Sequence, residues 1–194
     1  MSEILELIDD CQTIDVKSYV YYRALKDRTI IINELIDDSI LERAVYPLIQ
    51  MDNDGTGKPI TIYISSLGGS EYFGMALIDV IERIKTPLTI IGVGVCMSMG
   101  ALILCAGKSN PNVKRCCFRS TVGLLHAGSL GVSGDANQAK DYMKFADEYE
   151  KKISKEHLFR NTNITIKDYA KYARKERYMM ADEMLEIEMV DEIL

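Results

Sequence analysis

The sequence is short of several things, and each shortage narrows what the protein can be. Histidine occurs only twice, as His126 and His157, so chemistry that needs an imidazole has two candidates. No run of ~18 or more apolar residues is present, and nothing reads as a membrane-spanning helix. Positive charge is scarce: 23 Lys and Arg face 29 Asp and Glu, a formal charge of −6. A pI near 5.0 argues against a basic face for nucleic acid. The first ten residues are acidic and lack the basic-then-apolar order of a secretory signal. Low-complexity tracts, internal repeats and linker-like stretches are missing too. Cysteine is odd in number, and the spacing of Cys11, Cys96, Cys105, Cys116 and Cys117 fits neither a disulfide scaffold nor a zinc site. These residues read as small buried hydrophobes kept reduced in a cytosol, with a redox or metal role for the Cys116–Cys117 pair as the alternative.

What is there has the balance of an ordinary globular protein: 194 residues, 47% hydrophobic and 27% charged. That length suits one domain with a sizeable core, so a single cytoplasmic domain over 1–194 is expected. Helix-period and strand-like segments alternate. Residues 15–26 look helical and lead into the β-branched run Thr29–Ile32, a buried strand. Residues 38–50 carry Leu41, Ala44, Val45 and Leu48 on one helical face, with Pro47 set to kink or shorten it. A turn cluster at 52–57 precedes a strand over Ile60–Ile64. A helix follows with Phe73, Leu77, Val80, Ile81 and Ile84 on one face, and Pro87 ends that segment. Leu88–Val95 is a third strand, Met99–Ala106 a buried helix closed by Gly107, and Arg115–Phe118 and Thr121–Leu125 two more strands. Residues 136–160 form a long charged helix with Tyr142, Phe145, Tyr149 and Ile153 along one side. Thr165–Asp168 resembles a capping box, and Asp182 and Glu183 suit the first turn of a last helix. Repeated strand–helix–strand order with apolar strands means an α/β fold, a mainly parallel sheet covered by helices.

Three features stand apart from this scaffold. Ser98, in Gly92-Val93-Gly94-Val95-Cys96-Met97-Ser98-Met99-Gly100-Ala101, falls where an apolar strand passes into an apolar helix. Its hydroxyl is exposed there, and the Met99 N–H opens a helix N-terminus that favours developing negative charge. The segment departs from G-x-S-x-G, since Cys96 holds the first glycine position, and a plain N-cap serine is the competing explanation. Gly68-Gly69 let the backbone approach a ligand and aim an N–H at it, or else serve a tight turn alone. No Gly-Lys-Ser/Thr follows, as a phosphate loop requires. His126, directly after Thr121–Leu125 and before Ala127-Gly128-Ser129-Leu130-Gly131, is well placed as a general base; a hydrogen-bonded, half-buried histidine is the alternative. His157, late in the charged helix, reads as a solvated or interface residue.

Together these segments resemble the ClpP family, the proteolytic subunits of the Clp protease, from about Val16 to Leu194. Ser98-Met99-Gly100-Ala101 matches the family's S-M-G-A around its nucleophile. Ile64–Gly69 resembles I-N-S-P-G-G, with Ser65 and Leu67 in place of asparagine and proline. Leu124-Leu125-His126 resembles its I-H-Q-P segment, Glu176–Ala181 its D-R-F-(L/M)-S-A, and Val190–Leu194 its closing G-(L/I)-(V/I)-D-x-(I/V). The resemblance implies a ClpP/crotonase-like fold of βαβ repeats with a protruding handle helix over 136–160. It implies a serine endopeptidase in which Ser98 attacks the peptide carbonyl, His126 shuttles the proton, and the N–H groups of Gly69 and Met99 form the oxyanion hole. Glu176 stands where the family has aspartate, so the orienting acid carries one more methylene. Peptide and unfolded-protein substrates are implied, as are heptameric rings stacked as a tetradecamer. A AAA+ unfoldase partner would use the ATP, this chain needing no cofactor or metal, and nucleic acid and membrane are not among the expected partners. Tyr63 aligns with an aromatic of the family's unfoldase-docking pocket, and Arg83 stands where another aromatic is usual. Glu188 replaces a glycine, and residues 1–14 diverge from the family pattern.

Two readings from other classes stand beside this one. An inactive ClpP-like ring or scaffold subunit is favoured if a fluorophosphonate fails to label Ser98. A crotonase-type acyl-CoA hydratase or isomerase is favoured by binding of a CoA thioester without peptidase activity.

Overall fold

The computed structural model describes residues 16–128, 131–132, 134–172 and 175–194; the divergent segment 1–14 and Cys11 lie outside them. Helix α1 (Val16–Lys26) leads into β1 (Thr29–Ile32). A π-helical turn over Leu41–Val45 then runs into α2 (Tyr46–Asn53). Pro47 accounts for the wide turn. It has no N–H with which to continue the α ladder, and the Tyr46 N–H before it reaches back to the Leu41 carbonyl. The proline itself lies in the first turn of α2, where a missing N–H costs nothing. The break expected within 38–50 takes that form.

The site is carried by the elements that follow: β2 (Ile60–Ser66), α3 (Glu71–Arg83), β3 (Leu88–Met97), α4 (Met99–Leu104), β4 (Val113–Cys117) and β5 (Val122–Leu125). Next come α5 (Ala136–Tyr149), a π-helical turn over Glu150–Ser154 and α6 (Lys155–Asn161), one helical run that covers the expected 136–160. The chain closes with α7 (Ile166–Tyr172), β6 (Arg177–Met179), α8 (Ala181–Glu186) and β7 (Glu192–Ile193). The capping box at α7 forms as expected, the Thr165 hydroxyl accepting the Asp168 N–H at 3.2 Å and donating to its carboxylate at 2.6 Å.

The fold is α/β. Strands β1, β2, β3, β4 and β7 lie side by side in that order, all parallel; β5 pairs in parallel with β3, and β6 is antiparallel to β5. Ile30, Ile32, Ile60, Ile62, Ile64 and Ile90 are buried along the central strands. Each contributes roughly 1.5–3 kcal/mol by leaving water, which is why the β-branched runs settle here. β3 changes partners along its length. Its first half, Leu88–Gly92, is held between β2 and β4. The register then jumps, Ile64 opposing Gly92 but Ser66 opposing Cys96, so β3 carries extra residues at a bulge where Gly94 takes φ +66°. Beyond the bulge Val95–Met97 pairs with β5. The strand therefore outruns the expected Leu88–Val95, because its second half has a partner of its own.

Two buried charges tie the segments together. Arg115 on β4 is 2% exposed and forks onto the Asp191 carboxylate. Its remaining N–H bonds go to the carbonyls of Cys105, Asn161 and Glu188 at 2.9–3.1 Å. His157 on α6 corrects the sequence reading, which had it solvated or at an interface: its side chain is 0% exposed. Nε2 donates to the Leu102 carbonyl at 2.9 Å and Nδ1 to Glu82 Oε1 at 3.2 Å. Burial by itself opposes the imidazolium, yet hydrogen bonds to Cys105, Glu82 and Leu102 outweigh it and lift the pKa to about 10. The π turn over 150–154 shifts the helix phase, so the stripe extrapolated from Tyr142, Phe145, Tyr149 and Ile153 does not mark the inward face of α6. Cys96, Cys105, Cys116 and Cys117 are free and buried. Burial pushes the Cys96 thiol up to about 12 and Cys117 to about 11, far from the thiolate that redox or metal chemistry needs.

Candidate active site

Ser98 sits on the turn between β3 and α4 with φ +52° and ψ −121°, a conformation costing a side-chain-bearing residue roughly 1–3 kcal/mol. Its backbone is held from both sides. The Ser98 N–H donates to the Leu124 carbonyl of β5 at 2.9 Å, and the Ser98 carbonyl accepts from Ala101 and Leu102 at 3.0 and 3.2 Å, starting α4. Ser98 stands at the N-cap position but makes no side-chain cap hydrogen bond. Capping therefore does not explain a serine here, and the hydroxyl is left to the cleft.

The small residues around it are there for space. A Cβ on Gly68 would lie 2.7 Å from Ser98 Cβ, and one on Gly69 would lie 2.2 Å from the Ile36 carbonyl oxygen. Both glycines have positive φ, +102° and +145°. Around them the Ile36 N–H donates to the Gly68 carbonyl and the Ser70 N–H to the Ile36 carbonyl, at 2.8 and 2.6 Å. That exchange fixes the loop and skips the Gly69 N–H. Among the described residues neither the Gly69 nor the Met99 N–H donates to a protein acceptor. Gly100 lets α4 approach β2, since a Cβ there would meet the Ser66 carbonyl oxygen at 3.0 Å.

Gly69, Ser98, Met99 and His126 line one cleft of about 700 Å³. His126 is half-buried just past the end of β5. Among the described residues neither its ring nor the Ser98 hydroxyl makes a hydrogen bond, a looseness common in catalytic groups without substrate. Glu176 is exposed, accepts from the Tyr178 hydroxyl at 3.0 Å, and does not touch His126. The backbone nonetheless aligns the two. Gly123 pairs with Met179, Leu124 with Tyr178 and Leu125 with Arg177; the ladder ends there, with His126 and Glu176 each one residue beyond its last pair. One further step of the same register would set the two directly opposite, about 5 Å apart, within reach of a glutamate arm.

The cleft also holds residues that sequence reasoning passed over. Its walls include Leu102 of α4, Glu71 and Tyr72 of α3, and Ser154 and Leu158 from the segment after α5. Glu71 carried one signal, a carboxylate two positions after the glycine pair; the others become visible only once three helices meet. Helix α5 has no buried residue and keeps Met143 and Phe145 more than half exposed. Tyr72 and Tyr149 clasp edge-to-face at 5.0 Å and anchor α5 to α3. A smaller recess of about 450 Å³, lined by Glu82, Arg83, Asn110 and Arg160 among others, contains none of the predicted site residues. Among the described residues no helix is long and apolar enough to cross a membrane.

The family described as Clp protease matches residues 13–194. An ATP-dependent Clp protease proteolytic subunit 2 of Thermobifida fusca (strain YX) is 33% identical over 174 residues, 89% of this chain and 83% of the relative. An ATP-dependent Clp protease proteolytic subunit of Deinococcus radiodurans is 28% identical over 183 residues, 92% of this chain and 86% of the relative.

Proposed function

The chain belongs to the Clp protease family, and from that premise we propose how its cleft carries out peptide hydrolysis. It is a Clp-type serine peptidase; the scaffold and acyl-CoA readings are not favoured. The observation that carries the mechanism is a strained serine sharing one cleft with a histidine and two backbone N–H groups that meet no protein acceptor among the described residues.

Ser98 Oγ attacks the scissile carbonyl as His126 takes its proton. The carbonyl oxygen gains negative charge and is met by the Gly69 and Met99 N–H groups. Each such donor is worth roughly 10²–10³ in rate, because it stabilises the tetrahedral intermediate more than the planar substrate. His126 then gives the proton to the leaving amine, and water deprotonated by His126 releases the acyl group from Ser98. Glu176 orients the imidazole, its additional methylene spanning the gap that an aspartate's backbone position would close. The chain itself supplies every group in this sequence, so the reading calls for no cofactor; ATP belongs to a partner unfoldase.

Ring assembly with Clp ATPases and peptide substrates go with the family. We place this chain in two stacked seven-membered rings in the cytoplasm, with the exposed apolar stripe of α5 as the contact between rings. The test combines two measurements on one fraction. A particle of about fourteen subunits should hydrolyse a short fluorogenic peptide and take up a fluorophosphonate on Ser98, and Ser98→Ala should abolish both. An inert monomer, or full activity in Ser98→Ala, overturns the reading.

A further inference from the structure

One carboxylate in the cleft has no counter-charge among the described residues. Glu71 lies in the first turn of α3, two residues beyond Gly69, and lines the cleft together with Ser98. It accepts a hydrogen bond from the Ser154 hydroxyl of the facing segment, and among the described residues no cation pairs with it. The other two carboxylates of the cleft differ. Asp147 is paired with Lys151 at 2.5 Å, and Glu150 accepts from the Tyr169 hydroxyl at 2.8 Å with Lys155 Nζ 4.0 Å away. No described lysine or arginine lines the cleft. Burial holds the Tyr149 and Tyr169 phenols above their usual range, and the Glu71 charge adds to the rise in both.

The cleft that Glu71 lines also offers apolar surface. Leu102 stands one helical turn beyond Ser98 on α4, and Leu125 and Leu158 complete the surface. A peptide filling this cleft strips water from Glu71. A single hydroxyl replaces little of that hydration, so the carboxylate is costly to cover unless the peptide brings its own cation. Lysine and arginine suit both parts of the wall, an aliphatic stem for the leucines and a charged head for the carboxylate. The residue whose carbonyl is attacked has its Cα bonded to that carbonyl, so its side chain is the one in reach of the wall next to the oxyanion loop.

Building on the assignment of Ser98 as nucleophile, we propose that Glu71 is a specificity-determining residue that selects lysine or arginine on the acyl side of the cleaved bond. Four fluorogenic peptides differing only in the residue before the reporter test it: lysine, arginine, norleucine and glutamate. Norleucine keeps the stem of lysine without its charge. In the wild-type particle kcat/KM for lysine or arginine should exceed that for norleucine by about tenfold or more. Glu71→Gln should bring that ratio close to one, and in the wild type added salt should narrow it. Turnover with norleucine equal to or better than lysine overturns the proposal alone, as does a ratio untouched by Glu71→Gln. If Glu71→Gln does not assemble, the salt titration of the wild type decides, and a ratio insensitive to salt overturns it. Absence of turnover on all four peptides, with no labelling of Ser98, overturns the nucleophile assignment and this proposal with it.

Discussion

Replacing Gly68 by alanine probes the link between the glycine loop and Ser98, the proposed nucleophile. The added Cβ would stand 2.7 Å from Ser98 Cβ, 2.8 Å from the Met97 carbonyl oxygen and 3.1 Å from the Met99 N. Restoring an ordinary 3.4 Å contact with Ser98 means a shift of 3.4 − 2.7, about 0.7 Å. The loop cannot absorb all of it, because Ile36 grips both Gly68 and Ser70. A displacement approaching 1 Å at a reacting atom costs ~10² in rate, and the φ of +102° adds roughly 1–3 kcal/mol of backbone strain. The expected result is a kcat/KM on a short fluorogenic peptide lower by about 10², with fluorophosphonate labelling slowed in parallel. The particle should stay intact and melt several degrees lower. Gly55→Ala is the control, since Gly55 also has positive φ but its Cβ would meet nothing within 4 Å; it should lose stability and keep its activity. A folded Gly68→Ala particle with activity within about threefold of wild type would refute the contact argument.

Two further outcomes concern the scaffold. His157 has a folded pKa of about 10 against ~6.5 unfolded, so its contribution is complete below pH ~6.5 and is lost as pH rises through about 10. The urea midpoint of His157→Gln should trail wild type most near pH 6, with the gap narrowing towards pH 10; a constant gap means that the charge contributes nothing. Glu188 holds φ +57°, a left-handed strain of roughly 1–2 kcal/mol. Its ion pair with Lys108 is half-exposed and returns little, so Glu188→Gly should raise the melting temperature by a few degrees, and a fall would show the pair to matter more than the strain.

The elements that sequence pattern revealed are those whose own composition sets their fate. Thr29–Ile32 and Ile60–Ile64 are β-branched and continuous, and both lie in the parallel sheet. β6, with only Met179 of its three residues buried, has no such signature and exists because β5 offers it an edge. β7 is two residues long and depends on β4 in the same way. The burial of His157 was illegible because a π turn leaves no mark in hydrophobic periodicity. Within the site, Ser98, His126 and the glycine pair stood out as small or titratable residues at strand ends. Their convergence could not be read from spacing, since it depends on β3 leaving β4 for β5 at the Gly94 bulge. Glu71 was hidden for a similar reason: its having no cation among the described residues is a property of three helices at once.

That change of partner sets how the molecule comes apart. The first half of β3 is clamped on both edges over five residues, whereas β5 and β6 share only three pairs at the margin. Opening this margin breaks few contacts and leaves the isoleucine layer closed, so it belongs to the low-energy end of local unfolding. Glu176 lies just before β6 and His126 just after β5, so opening this margin parts the two, whereas Ser98 stays hydrogen-bonded to Leu124 of β5. In the proposed triad the acid alone would then be withdrawn, with serine and histidine left in place and the protein still folded.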